Sequence, residues 1–173
     1  MKVMLSLAAP LALVCFAAPV TAKQLAPANP QVDYPSFLRL SRELAPVRAA
    51  HRLAWPEFAR RVQARGALLL DARSADAFAR GHLKGAVNLP FTDFTDEALR
   101  QVIGDKADRP IYIYCNNNFS DHRAPIALKR APMALNIPTF INLHGYGYRN
   151  VWELADVIGT GDAGVEWETS LGG

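Results

Sequence analysis

Cysteine is almost absent from this chain: there are two in 173 residues, Cys15 and Cys115. Cys15 falls in an apolar N-terminal stretch that reads as a removable leader, so the mature chain keeps one thiol. That excludes an internal disulfide and leaves intermolecular pairing or chemistry as the use of a thiol in an exported protein. Charge of one sign is also scarce. Nineteen Lys and Arg against sixteen Asp and Glu give a net +3, and loss of Lys2 lowers it by one. No basic run is present, so neither nucleic acid nor anionic lipid is an expected partner. His and Cys lack zinc-ligand spacing and no glycine-rich phosphate loop occurs, so no metal and no organic cofactor are expected. No internal repeat or low-complexity block appears. About 150 residues beyond the leader suffice for one domain with a real core.

What is present begins with an address. Lys2 precedes "VMLSLAAPLALVCFAAPV", and "VTA" at 20–22 supplies small residues before a cut after Ala22. This is the pattern of a secretory signal peptide. Pro10, Pro19 and the short apolar core argue against a transmembrane anchor. The bulky Val14 before Cys15 argues against a lipoprotein signal. Residues 1–22 are therefore read as a signal peptide, with export to the bacterial periplasm and no stable membrane insertion afterwards.

Residues 23–50 read as an N-terminal extension. "KQLAPANPQVDYPS" is extended, and "SFLRLSRELAPVRAAHRLA" carries apolar residues at loosely helical spacing. The domain proper is placed at 51–158. In it "WPEFARRVQARG" starts with a helix-compatible Pro and ends on Gly. "ALLLD" is a continuous apolar run, as expected of a strand covered on both faces. "SADAFARG" reads as a short capped helix, "AVNLP" as a strand, and "TDFTDEALRQVIG" as a helix with both ends marked. "PIYIY" is the next strand. A helix is expected within a few residues of Cys115, interrupted at Pro132. "TFINL" reads as a further strand and "NVWELADVI" as a last helix, with a loosely held tail at 159–173. The order implies an α/β fold, a mostly parallel sheet with helices on both faces.

Ligands of parallel α/β sheets bind at the carboxyl ends of the strands, and Cys115 stands at one. A following helix N-terminus favours an anion there and lowers a thiol's pKa. Asn tolerates left-handed backbone, so "NNN" at 116–118 can curl a loop whose N–H groups surround the sulfur. The bland alternative is a small buried hydrophobe. This geometry does not choose between sulfur transfer, phosphoryl transfer and redox chemistry.

From Trp55 to about Val157 the chain resembles a single rhodanese domain. The motifs that carry the resemblance are "LLLDARSADAFARGHLKGAVNLP" at 68–90, "IYIYCNNNFS" at 111–120 and "INLHGYGYRNVWEL" at 141–154. Within the first, Asp71, Arg73, Gly81, His82, Gly85, Ala86 and Asn88 stand where that family has its strand-end and turn residues. The resemblance implies that Cys115 is a catalytic nucleophile holding sulfane sulfur as a persulfide. It implies a small sulfur-containing donor and a thiol or cyanide acceptor. Asn116, Asn117, Asn118, Phe119, Ser120 and Arg123 are the implied substrate-binding residues. A non-catalytic module of the same family, binding a partner or sensing redox state through Cys115, is the alternative. Asp71, Arg73 and His82 are expected to be structural. Three departures are visible: Ser120 stands where many members carry a base, "NNN" replaces a glycine-containing loop, and "LHGYGY" replaces a Gly-Gly pair. Related phosphatases and arsenate reductases have Cys-x5-Arg, whose Arg grips phosphate. Asp121 occupies that position here and disfavours phosphate.

Overall fold

The computed structural model describes residues 29–121 and 123–170. The expected leader and cut site at 1–22, residues 23–28, His122 and the last three residues lie outside them. Residues 29–33 belong to a separate N-terminal unit, closed by a turn in which Val32 N–H donates to Asn29 O at 3.1 Å. Everything from Tyr34 onward forms the second unit.

The second unit begins with helix α1 (Tyr34–Ala50) and strand β1 (Arg52–Leu53). Helix α2 (Trp55–Val62) carries Pro56 in its first turn, where the missing N–H has no partner to lose. Strand β2 (Leu68–Asp71) leads to α3 (Ala75–Arg80), capped by Ser74, whose Oγ accepts from Ala77 N–H at 3.3 Å. Strands β3 (His82–Leu83) and β4 (Val87–Asn88) follow. Helix α4 (Asp96–Ile103) is capped by Thr95 and stops at Gly104, where φ is +90°. Strand β5 (Ile111–Tyr114), helix α5 (Asn136–Gly145), β6 (Val151–Leu154) and β7 (Trp167–Glu168) complete the order.

Five strands form a parallel sheet in the order β1-β6-β5-β2-β4, and β3 and β7 pair separately as an antiparallel ribbon. The central β2 and β5 are buried along their whole length, so their continuous apolar runs have a face on each side to fill. Leu68, Leu70, Ile111, Ile113 and Val151 face a core shared with Leu44, Leu99, Phe140 and Leu143. Leu69, Tyr112, Tyr114 and Leu154 face the opposite one, with Phe58, Phe119 and Leu83. Cys115 continues the parity of Ile111 and Ile113, so it points toward α5.

The fold class is as expected, but four local readings are corrected. "TFINL" lies inside α5, because Phe140, Ile141, Leu143 and His144 bury a helical face. "NVWEL" contains β6, whose Val151 and Leu154 serve opposite cores. No α-helix directly follows Cys115: a single 3-10 turn spans Asn116–Asn118, and the described residues between it and a second 3-10 turn at Ala131–Met133 are not helical. Pro125 removes one donor there, and the Asn side chains hold the backbone at Ala127 and Lys129 instead. Finally, the tail is held through Ser170. β7 pairs with β3, Lys84 meets Glu166 in an ion pair, and Ser170 N–H donates to Ala79 O at 2.9 Å. No helix among the described residues is long and apolar enough to cross a membrane.

Candidate active site around Cys115

Cys115 follows the last residue of β5 and is 1% exposed. Backbone N–H groups of Asn136, Asn117 and Leu135 face its sulfur and favour its anion, and the N–H of Asn118 closes a capping box onto the same side chain. Leu135 is the N-cap and Asn136 the first residue of α5, whose opening N–H groups lack partners within the helix. The helix end that meets the thiol is therefore one that arrives 20 residues later in the chain, not one that follows directly. Burial nevertheless pushes the Cys115 thiol up from its ordinary value. The three donors pull it down by less, and the negative charge of Glu153 adds to the rise. The expectation of a lowered thiol is corrected: desolvation disfavours the thiolate more than the amide dipoles favour it.

The three asparagines act through their side chains. No residue other than glycine has positive φ among the described residues, so the left-handed role expected for them is absent. Asn116 donates to Ala127 O at 3.0 Å and accepts from Arg73 Nη1 at 3.1 Å. Asn117 donates to Lys129 O at 2.7 Å and accepts from Lys129 N–H at 3.2 Å, imitating a strand pair. Asn118 is buried. Its Oδ1 accepts from Cys115 N–H and from Asn136 Nδ2, both at 2.9 Å, and its Nδ2 donates to Leu154 O and Asp156 O. The loop is thus tied to its own later strap, to α5 and to the end of β6.

The other residues assigned to substrate are placed differently. Phe119 is buried between the rings of Tyr114 and Trp167, at 5.8 and 5.0 Å between centroids, so it belongs to the core. Ser120 donates its N–H to Ile158 O at 2.9 Å and is exposed. Arg123 is exposed, and its carbonyl accepts from Ile126 N–H. Asp121 faces Thr160, which donates from N–H at 2.7 Å and from Oγ1 at 3.1 Å and holds the carboxyl below its usual range.

Asp71 and Arg73 tie the end of β2 to neighbouring loops. Arg73 grips Asp71 bidentately and also donates to Gly81 O at 2.8 Å, while Tyr114 OH donates to Asp71 Oδ2 at 2.6 Å. The web joins the ends of β2 and β5 to the residue after the cysteine. His82 stacks on Phe78 and its Nδ1 meets Phe78 O at 2.8 Å.

A cleft of about 820 Å³ opens at the carboxyl ends of β2, β4 and β5. Its wall includes Arg73, Phe91, Asn116, Leu128, Lys129 and Leu135. Cys115 is not part of that wall, but its chain neighbour Asn116 and Leu135, whose N–H faces its sulfur, are. Leu135, Asn136 and Glu153 were not among the residues singled out from sequence. The N-terminus of a helix read as a strand could not be seen as a donor. Glu153 is a buried carboxylate on β6, paired with Arg48 of α1 at 2.6 Å.

Residues 55–156 match the family of rhodanese-like domains. The chain is 34% identical over 67 residues to the uncharacterised protein YqhL of Bacillus subtilis (strain 168), covering 38% of this chain and 49% of that one. It thus spans about half the length of that curated relative. Solved structures of similar fold include the BH2092 protein of Bacillus halodurans, at 17% identity with a TM-score of 0.49 over 83% of this chain and 89% of that one. A thiosulfate sulfurtransferase of Pseudomonas aeruginosa matches at 24% identity with a TM-score of 0.48, over 68% of this chain and 20% of that one. With its central parallel sheet, its strand-end cysteine and more than half its length matched, the chain belongs to the rhodanese-like domain family.

Proposed function

We propose that this protein is an exported sulfurtransferase that carries sulfane sulfur as a persulfide on Cys115. The observation that carries the reading is the convergence of three backbone N–H groups on the Cys115 sulfur at the carboxyl end of a central strand. Fixed dipoles of this kind stabilise an anionic sulfur without reorganising during the reaction. The thiolate attacks the sulfane sulfur of a donor such as thiosulfate. The donor's S–S bond breaks, sulfite leaves with the electron pair, and Cys115 keeps the transferred sulfur as a persulfide anion. A thiol or cyanide then takes the terminal sulfur and returns the thiolate. No metal or organic cofactor enters these steps. Export rests on the leader and its cut after Ala22.

Burial of the thiol favours a second reading, a non-catalytic module that senses redox state or binds a partner. Intact mass separates the two. Protein recovered from the periplasm is exposed to thiosulfate or to an alkyl persulfide, and a gain of one sulfur atom on Cys115 is expected, absent in Cys115→Ser. No gain with either donor would sink the sulfurtransferase reading. Sequencing of the same preparation should begin at Lys23; an intact Met1 would overturn export.

A further inference from the structure

We infer that the physiological donor is an organic sulfane-sulfur compound, an apolar body bearing an anionic group, which lies in the cleft beside Cys115. This deepens the sulfur-transfer reading and rests on it. Thiosulfate needs only a few atoms' room around the sulfur, whereas this cleft measures about 820 Å³. Cavities of roughly 300–1,000 Å³ are the range that encloses organic ligands. The lining is largely apolar: Phe91, Ile126, Leu128 and Leu135 contribute side chains from both sides of the opening. Leu128 remains 43% exposed on it, an apolar side chain with no core to enter.

The cations of the cleft are not equivalent. Arg73 is committed to Asp71 and Arg80 to Asp76, each pair at 2.6 Å. Lys129 has no anionic partner among the described residues, although its backbone is fixed on both sides by Asn117. An ammonium without a counter-ion on an apolar wall complements an apolar ligand with a carboxylate or sulfonyl group. The cleft also reaches both neighbours of the thiol. Asn116 follows Cys115 in the chain, and the N–H of Leu135 faces its sulfur. A donor seated there delivers its terminal sulfur between these two residues. With an organic thiosulfonate, the Cys115 thiolate attacks the sulfane sulfur and the S–S bond breaks. The sulfinate leaves with the electron pair, and the persulfide stays on the protein.

The test compares thiosulfate, benzenethiosulfonate and 4-carboxybenzenethiosulfonate by kcat/KM, with cyanide as acceptor. The native protein should favour the carboxylated arene over thiosulfate by at least tenfold, with the plain arene between them. Leu128→Ser should bring both arenes down to the level of thiosulfate. Lys129→Gln should erase only the advantage of the carboxylate, since its backbone bonds to Asn117 survive. Equal kcat/KM for all three donors in the native protein would overturn the cleft assignment while leaving sulfur transfer intact. Failure of every donor to load Cys115 would instead overturn the sulfurtransferase reading beneath it. Unchanged donor preference in both variants would likewise overturn the assignment.

Discussion

At Cys115 two effects of comparable reach oppose each other. Three N–H groups favour the thiolate, and burial disfavours it more strongly. The resting protein therefore holds a protonated thiol near neutral pH. Its iodoacetamide reaction should reach half its maximal rate above the ~8.5 of a free thiol. A midpoint below that value would show that the amide dipoles dominate. The same displacement has a stability consequence. Because the folded thiol ionises at higher pH than the unfolded one, its contribution is fully present below the unfolded value. It is lost as pH rises toward the folded value, since the unfolded chain then binds fewer protons. Denaturant titrations of the native protein and Cys115→Ser should therefore diverge above about pH 8.5, the native protein losing stability faster. The sequence showed where the thiol would stand but not this balance, which depends on how completely the folded chain buries it.

The elements legible in sequence were those whose pattern has one solution. β2 and β5 are apolar runs too short for helices, and α3 and α4 carry their caps at Ser74 and Thr95. The misread pair had patterns with two solutions. Thr139–Leu143 is as apolar as a buried strand, and Val151–Leu154 hides a buried Glu153 inside an alternation. Glu153 reads as solvent-facing until Arg48 is placed beside it. The loop after Cys115 was misjudged for a related reason, because the helix expected there is replaced by side-chain bonds from its asparagines. Those bonds differ in weight. Asn118 links Cys115 N–H, α5 and β6 while buried, so Asn118→Ala should cost about 3 kcal/mol, as when several buried groups lose partners. Asn117→Ala breaks bonds to an exposed strap and should cost under about 1 kcal/mol. Chemical denaturation decides this, and equal losses in the two variants would contradict the ranking.

The molecule as a unit is larger than the segment that carries the family match. That match starts at residue 55, yet α1 and β1 before it are built into the same body. Leu44 is buried against the core that includes Phe140 and Leu143, and β1 adds an edge strand beside β6. Arg48 of α1 supplies the counter-ion for Glu153, a carboxylate 3% exposed whose other oxygen has no partner. At the other end, Trp167 of β7 stands over Gly81, where a Cβ would run into its indole nitrogen, and over Arg73 and Phe119. Both flanks of the matched segment thus touch the residues that frame the cysteine loop. Cutting the chain at residue 55 would take from Glu153 its counter-ion and the strand paired beside it, breaking a buried ion pair whose loss costs about 3–5 kcal/mol, and would expose the surface now covered by Leu40, Leu44 and Val47. A protein starting at residue 29 should unfold in one cooperative transition, and the one starting at residue 55 should be destabilised by at least that amount. If the shorter chain also carries Glu153→Leu, part of the loss should return, because an apolar side chain there needs no counter-ion. Equal stability of the chains starting at 29 and 55 would mean that α1 packs on the domain without supporting it.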